Sequence, residues 1–176
     1  LELAISYEKD NDKIVSCLLQ KKGDAHEMCD EYDDAIVCLK KSLSKGTLIF
    51  GPDNLYLSNI LNSLGNAYRS LRRIEEAKYF YTESLKIRSK HNDLLSLAHI
   101  KHNIGALLGL GRGLNVQTLG KAFYCEAIRI KTKALGCDDL DTARSLCSLA
   151  QTFIHEKEYK RARKYCEESL RILRLR

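Results

Sequence analysis

Proline and methionine occur once each and tryptophan not at all in this chain of 176 residues. Ten glycines beside a single proline are too few for a collagen-like or low-complexity chain. No apolar run reaches the ~18–20 residues that a helix needs to cross a bilayer, which excludes a membrane-spanning helix. Core-forming residues are not scarce: 44% of the chain is apolar, which excludes intrinsic disorder. Also missing are a Cys-x-x-Cys pair, an Asn-x-Ser/Thr acceptor and the apolar core of a signal peptide. Seven cysteines are present, at 17, 29, 38, 125, 137, 147 and 166, an odd number unsuited to a secreted disulfide framework. Reduced thiols and a cytoplasmic location are the expectation, with helical cysteines packing as small hydrophobes. The chain opens on Leu1 and its methionine is Met28, so it reads as an excerpt of a longer protein.

What is present is a repeat. Leu61-Asn62-Ser63-Leu64-Gly65-Asn66-Ala67-Tyr68 is followed, twelve residues past the glycine, by Ala77. The stretch recurs around Gly23, Gly105 and Ala150. Small residues at Ala35, Ala77, Gly120 and Ala162 are spaced 42, 43 and 42, and Ser42, Ser84, Ala127 and Ser169 follow at the same intervals. Four units at one period predict a single repeat domain over 1–176, with units at about 16–57, 58–97, 98–142 and 143–176. Residues 1–8 read as the tail of a helix from a preceding unit, apolar at Leu1, Leu3, Ile5 and Tyr7.

Each unit reads as two helices. Ile60, Leu61, Leu64, Ala67 and Tyr68 fall on one arc at 100° per residue, Arg72-Arg73 breaks the pattern, and Ile74, Ala77, Phe80, Tyr81 and Leu85 restart it. Antiparallel helices joined by a short turn approach to ~8–10 Å, which demands small residues such as Gly65 and Ala77 at the crossing. Gly51-Pro52-Asp53, Asn92-Asp93 and Gly136-Cys137-Asp138 mark the links between units, each with an aspartate able to cap the next helix. In the third unit three extra residues fall in Gly109-Leu110-Gly111-Arg112-Gly113-Leu114. That run has neither the Lys-Ser/Thr nor the preceding strand of a phosphate loop and reads as a lengthened turn.

Leu64-Gly65-Asn66-Ala67-Tyr68 with Ala77 resembles the tetratricopeptide repeat. The 42-residue period, with linkers such as Leu135-Gly136-Cys137-Asp138-Asp139-Leu140-Asp141-Thr142-Ala143, resembles the long-linker subtype of the kinesin light chain. The resemblance implies an all-α fold, a right-handed α-solenoid of four antiparallel helix pairs, with the first helix of each pair on the concave side. It also implies a non-catalytic scaffold that binds a protein or peptide segment there, of the cargo-adaptor kind.

Opposite the apolar arc of the second unit lie Asn59, Asn62, Ser63 and Asn66, flanked by Arg69. Three asparagines in helical register lower helix propensity by roughly 0.5 kcal/mol each against alanine, and carboxamides can donate to and accept from a peptide backbone. The equivalent positions are Cys17, Gln20, Lys21, Asp24 and Glu27 in the first unit, His99, His102 and Asn103 in the third, and Arg144, Cys147, Ser148 and Gln151 in the fourth. The predicted peptide-binding set is therefore Asn59, Asn62, Asn66, Arg69, His99, His102, Asn103, Arg144 and Gln151. Gln20 and Asp24 stand where a carboxylate clamp for chaperone tails would carry Lys and Asn, which argues against chaperone docking.

The formal charge of +6 divides unevenly: residues 1–58 carry −4 and residues 59–176 carry +10. The run Lys160-Arg161-Ala162-Arg163-Lys164 and the closing Arg171, Arg174 and Arg176 dominate the basic part. An RNA-binding basic solenoid is the first alternative function, although a solvated helix face explains the run better and nucleic acid is disfavoured. Self-association through exposed repeat ends is the second. His99 and His102 have metal-ligand spacing but no third ligand nearby in sequence. No catalytic constellation, metal site or cofactor is assigned, and the chain is expected not to be an enzyme.

Overall fold

The computed structural model describes residues 2–111 and 114–175, with the side chains of 2–10, 114 and 115 outside the description. The described residues form eight helices and no strand: α1 Glu2–Met28, α2 Tyr32–Phe50, α3 Leu55–Ser70, α4 Ile74–Lys90, α5 Leu94–Gly109, α6 Leu114–Leu135, α7 Leu140–His155 and α8 Tyr159–Arg174. They pair as hairpins α1/α2, α3/α4, α5/α6 and α7/α8, within two compact units divided after His91. In the first unit α2 packs on α3 and α1 also touches α3; in the second α6 packs on α7 and α5 also touches α7. The first helices of neighbouring hairpins thus lie side by side within each unit.

The small residues sit where the helices come closest. A Cβ on Gly65 would lie 2.5 Å from the Tyr81 ring, and one on Gly23 would lie 2.7 Å from Leu39. Gly105 and Gly120 meet each other's backbone, their added Cβ atoms falling 3.1 and 3.2 Å from the opposing carbonyl oxygen. Ala35, Ala77 and Ala162 are buried as expected, with Ala77 fully enclosed. The core repeats with the sequence: Leu39, Leu64, Tyr81, Ala98, Ala127 and Leu149 all lose nearly all contact with solvent.

A second periodic feature is polar. Ser16 bonds Ser42 across the first hairpin, Ser58 bonds Ser84 across the second, and the Ser169 hydroxyl donates to the Ala143 carbonyl in the fourth at 2.9 Å. In the third hairpin the equivalent pair is Ala98 and Ala127, both buried. Exchanging both partners leaves no buried group unsatisfied, which is why the repeat tolerates either solution.

The turns inside the first, second and fourth hairpins share one geometry. Asp30, Arg72 and Lys157 adopt φ of 61°, 57° and 62°. At each, the next residue's N–H reaches back to the carbonyl five residues earlier, as in Glu31 to His26, Arg73 to Tyr68 and Glu158 to Phe153. This is the Schellman arrangement, occupied here by residues other than the favoured glycine.

Asp93 caps α5 as expected, its side chain accepting from the Ser96 N–H. Several other expectations need correction. The caps of α3 and α7 are Asn54 and Asp139, whose side chains accept from the Tyr56 and Asp141 N–H groups. Asp53 and Asp138 instead bind Lys90 and Arg171. The three additional residues of the third hairpin enter mostly as a longer α6. Gly120 lies six residues past the start of α6, whereas Ala77 lies three past the start of α4, and Arg112 and Gly113 fall outside the described residues. Cys38 alone among the cysteines is buried; Cys17, Cys125 and Cys147 lie on helices but are exposed. Residues 2–8 continue α1 without a turn, and the side chains of the apolar Leu1, Leu3, Ile5 and Tyr7 lie outside the description, as does Arg176.

Candidate functional site

The polar faces of the first helices are built by the same periodicity that builds the core. In the first unit α1 contributes Gln20, Asp24 and Glu27, one turn apart on a single face, and α3 contributes Asn59, Asn62, Ser63, Asn66 and Arg69. Their seam is bonded: the Ser63 hydroxyl donates to Asp24 Oδ1 at 3.0 Å, and Tyr81, buried on α4, sends its phenol to Asn66 Oδ1 at 2.7 Å. Asn59 accepts from the buried Arg88 guanidinium, which also donates to Ser58 Oγ at 2.8 Å. Asn66 and Asn59 therefore hold helices together as well as facing outward. Asn62 is half-buried on the same face. Glu27 is partly enclosed, and burial together with the neighbouring Asp24 carboxylate raises its pKa, against the opposing pull of Arg69.

In the second unit α5 and α7 are tied by ionic and hydroxyl bonds. His99 Nε2 lies 3.1 Å from Asp141 Oδ2, and Arg144 donates to the other oxygen of the same carboxylate at 3.0 Å. Burial acts to raise the Asp141 carboxyl, but the hydrogen bond and charge of His99, with Lys131 and Arg144, hold it below the usual carboxylate range. His102 Nδ1 meets Ser145 Oγ at 3.1 Å and its ring packs edge-on against Tyr124. Lys131 on α6, only 2% exposed, donates to the same Ser145 hydroxyl and to the Asp141 carbonyl, and burial lowers its pKa. Gln151 is exposed and bonds His155 one turn along α7, while Asn103 is half-buried on α5.

The predicted residues thus fall into two sets. Asn59, Asn62, Asn66 and Arg69 share a face of the first unit, and His99, His102, Arg144 and Gln151 share helices α5 and α7 of the second. His99 and His102 do not converge as metal ligands; each bonds a different residue of α7. The group with metal-ligand proximity among the described residues is instead His26, Glu31 and Asp34, whose ligand atoms lie within 4.8 Å of one another at the α1–α2 turn. His26 Nδ1 and Glu31 Oε2 are already hydrogen-bonded there, at 2.5 Å. Sequence reasoning missed Arg88 and Lys131 because a helix B position eleven residues past the small residue reads Gly46, Arg88, Lys131 and Leu173, with no shared chemistry. The signal available was a charged residue on an otherwise apolar arc.

Tetratricopeptide-repeat family models match residues 15–90 and 142–174, together more than half of the chain, which belongs to the tetratricopeptide-repeat family. Its described residues form an all-α helical repeat, a fold shared with solved kinesin light chain-like repeats. The crystal structure of BtubC (BKLC) from P. vanneervenii superposes with a TM-score of 0.80 at 15% identity, over 93% of this chain and 65% of that one. A putative kinesin light chain from Podosopora anserina, with nearly identical tetratricopeptide-like repeats, gives 0.68 at 14% identity, over 90% and 74%. By sequence, 78 residues are 36% identical to the protein O-mannosyl-transferase tmtc2 of Xenopus laevis, covering 44% of this chain and 9% of that protein. No helix among the described residues is long and apolar enough to cross a membrane.

Proposed function

We propose that the chain is a non-catalytic scaffold that binds a peptide segment along the faces of its first helices. The supporting observation is the seam between α1 and α3, where Gln20, Asp24, Asn62, Ser63 and Asn66 present carboxamide, hydroxyl and carboxylate groups at half-buried or buried positions. Such groups can pair with an extended backbone whatever its side chains. The non-catalytic part of the reading rests on the residues that could do chemistry: Ser145, His102 and Lys131 bond one another across helices, and so do His99 and Asp141. An adaptor role of the cargo-carrying kind is the finer proposal, and the fold likeness to kinesin light chain-like repeats supports it. The transferase relatives match over only 9% of their length, so their activity is not carried over.

Asn62→Ala tests the groove, with its fold checked by the circular dichroism melt because Asn62, like Asn66, also interacts within the chain. Truncating Asn62 should weaken a bound peptide about five- to tenfold, as expected for the loss of one or two hydrogen bonds. Peptide affinity untouched by both Asn62→Ala and Asn103→Ala would sink the reading. Self-association is a second reading with its own observation: Ile14 and Leu18 on α1 and Leu170 and Leu173 on α8 are large apolar side chains left about half exposed or more. A mass that rises with concentration in light scattering would support it.

A further inference from the structure

On the α1–α3 face two carboxylates, Asp24 and Glu27, stand against one guanidinium, that of Arg69. Asp24 and Glu27 share one face of α1, and Glu27 lies in the last turn, where the helix carbonyls add negative potential and a cation is favoured. Glu27 forms no hydrogen bond or ion pair among the described residues; neither does Arg69, the cation nearest to it in influence. Asp24 has one partner, a neutral hydroxyl. One turn earlier, Gln20 is 8% exposed. Its carboxamide makes no hydrogen bond among the described residues and is not shut away from solvent, so it is open to a partner on this face. Its equivalent in the next repeat is Asn62, on the same seam.

We propose that this face is a subsite for an extended peptide segment bearing a basic side chain, with Gln20 meeting the peptide backbone and the Asp24–Glu27 pair receiving a lysine ammonium or arginine guanidinium. The inference rests on the groove reading above and adds the chemistry of the partner. The geometry supplies what such a residue needs. Two carboxylates three residues apart on one helix can accept several N–H donors at once, and charge-assisted bonds in a partly enclosed site are about twice as strong as neutral ones. Burial first, and the neighbouring Asp24 carboxylate second, disfavour the Glu27 charge, and a cation placed between the two carboxylates relieves the repulsion. Arg69 supplies part of that charge from α3 without bonding, which leaves the pair one positive charge short. An acidic segment would instead meet two carboxylates against one guanidinium.

The test is selection of a random peptide library displayed on phage against the full chain under reducing conditions. Selected peptides should carry Arg or Lys at one fixed position. Glu27→Gln should reduce that enrichment to background, and the affinity of a selected peptide should fall about tenfold, an effect absent when the peptide's basic residue is replaced by norleucine. Glu27→Lys, its fold checked by circular dichroism, should turn the preference towards Asp or Glu at the same position. Peptides that are selected and lose affinity with Asn62→Ala, yet show no basic position or one indifferent to Glu27→Gln, would overturn this inference alone. Failure to select any peptide, or selection of peptides indifferent to Asn62→Ala, would overturn the groove reading with it.

Discussion

At the scale of single residues, the close approach of helices is the most demanding requirement. Gly65 faces the ring of Tyr81 at a distance no Cβ tolerates, and that ring is locked by full burial and by its bond to Asn66. Gly65→Ala should therefore cost about 1–3 kcal/mol in urea denaturation, the range for overpacking a core. Gly109→Ala, with open space around its added carbon, should cost nothing measurable and serves as the control. The need for a small residue at 65 was legible from the repeat, but its contact was not. The expected neighbour was Ala77, whereas the structure places Tyr81 there, because Tyr81 lies one turn further along α4 on the same face. Paired substitutions were equally hidden: Ser58–Ser84 and Ala98–Ala127 look unlike in sequence, and only their burial at equivalent places shows that they solve one problem twice.

At the scale of elements, the helices and their pairing were legible from apolar periodicity, while the turns were not. Arg72-Arg73 looks like a mere interruption in sequence, yet Arg72 takes a left-handed conformation that closes the α3 carbonyls. A residue with a Cβ is disfavoured there by roughly 1 kcal/mol. Arg72→Gly should raise stability by about 0.5–1 kcal/mol, read as a higher melting temperature, since the gain is partly offset by a more flexible unfolded chain. The caps show the same gap between residue type and role. Asp53 and Asn54 are both chemically able to cap α3, and the choice falls on Asn54 because the chain has already turned at Gly51, φ 79°, leaving Asp53 outward to meet Lys90. The candidate site was half legible. The polar arc of α3 was visible, but the commitment of Asn59 and Asn66 to Arg88 and Tyr81 depends on helix B residues that no local pattern ties to them.

For the molecule as a whole, charge is partitioned by unit. Residues 1–91 carry 14 basic and 14 acidic side chains, residues 92–176 carry 15 and 9, so the entire +6 belongs to the second unit. Much of it is locally answered: Arg161 pairs with Glu158, Arg163 with Glu167, and Arg171 with Asp138 and Glu168. Arg161→Gln with Arg163→Gln should leave peptide affinity within about twofold. Raising salt from 50 to 200 mM should weaken binding no more than about fivefold, far from the 10³–10⁵ expected of several phosphate contacts. A steep salt slope abolished by those two changes would point to nucleic acid instead. Lys131 carries a different consequence, one of timing. Arg88 finds two acceptors, Ser58 and Asn59, on the helix that precedes it, so those two bonds can form as soon as the second hairpin is made. Lys131 finds its acceptors at Asp141 and Ser145, ten and fourteen residues later. On a ribosome the third hairpin would emerge with its ammonium still in water, and could bury it only after the first turns of α7 had followed it out.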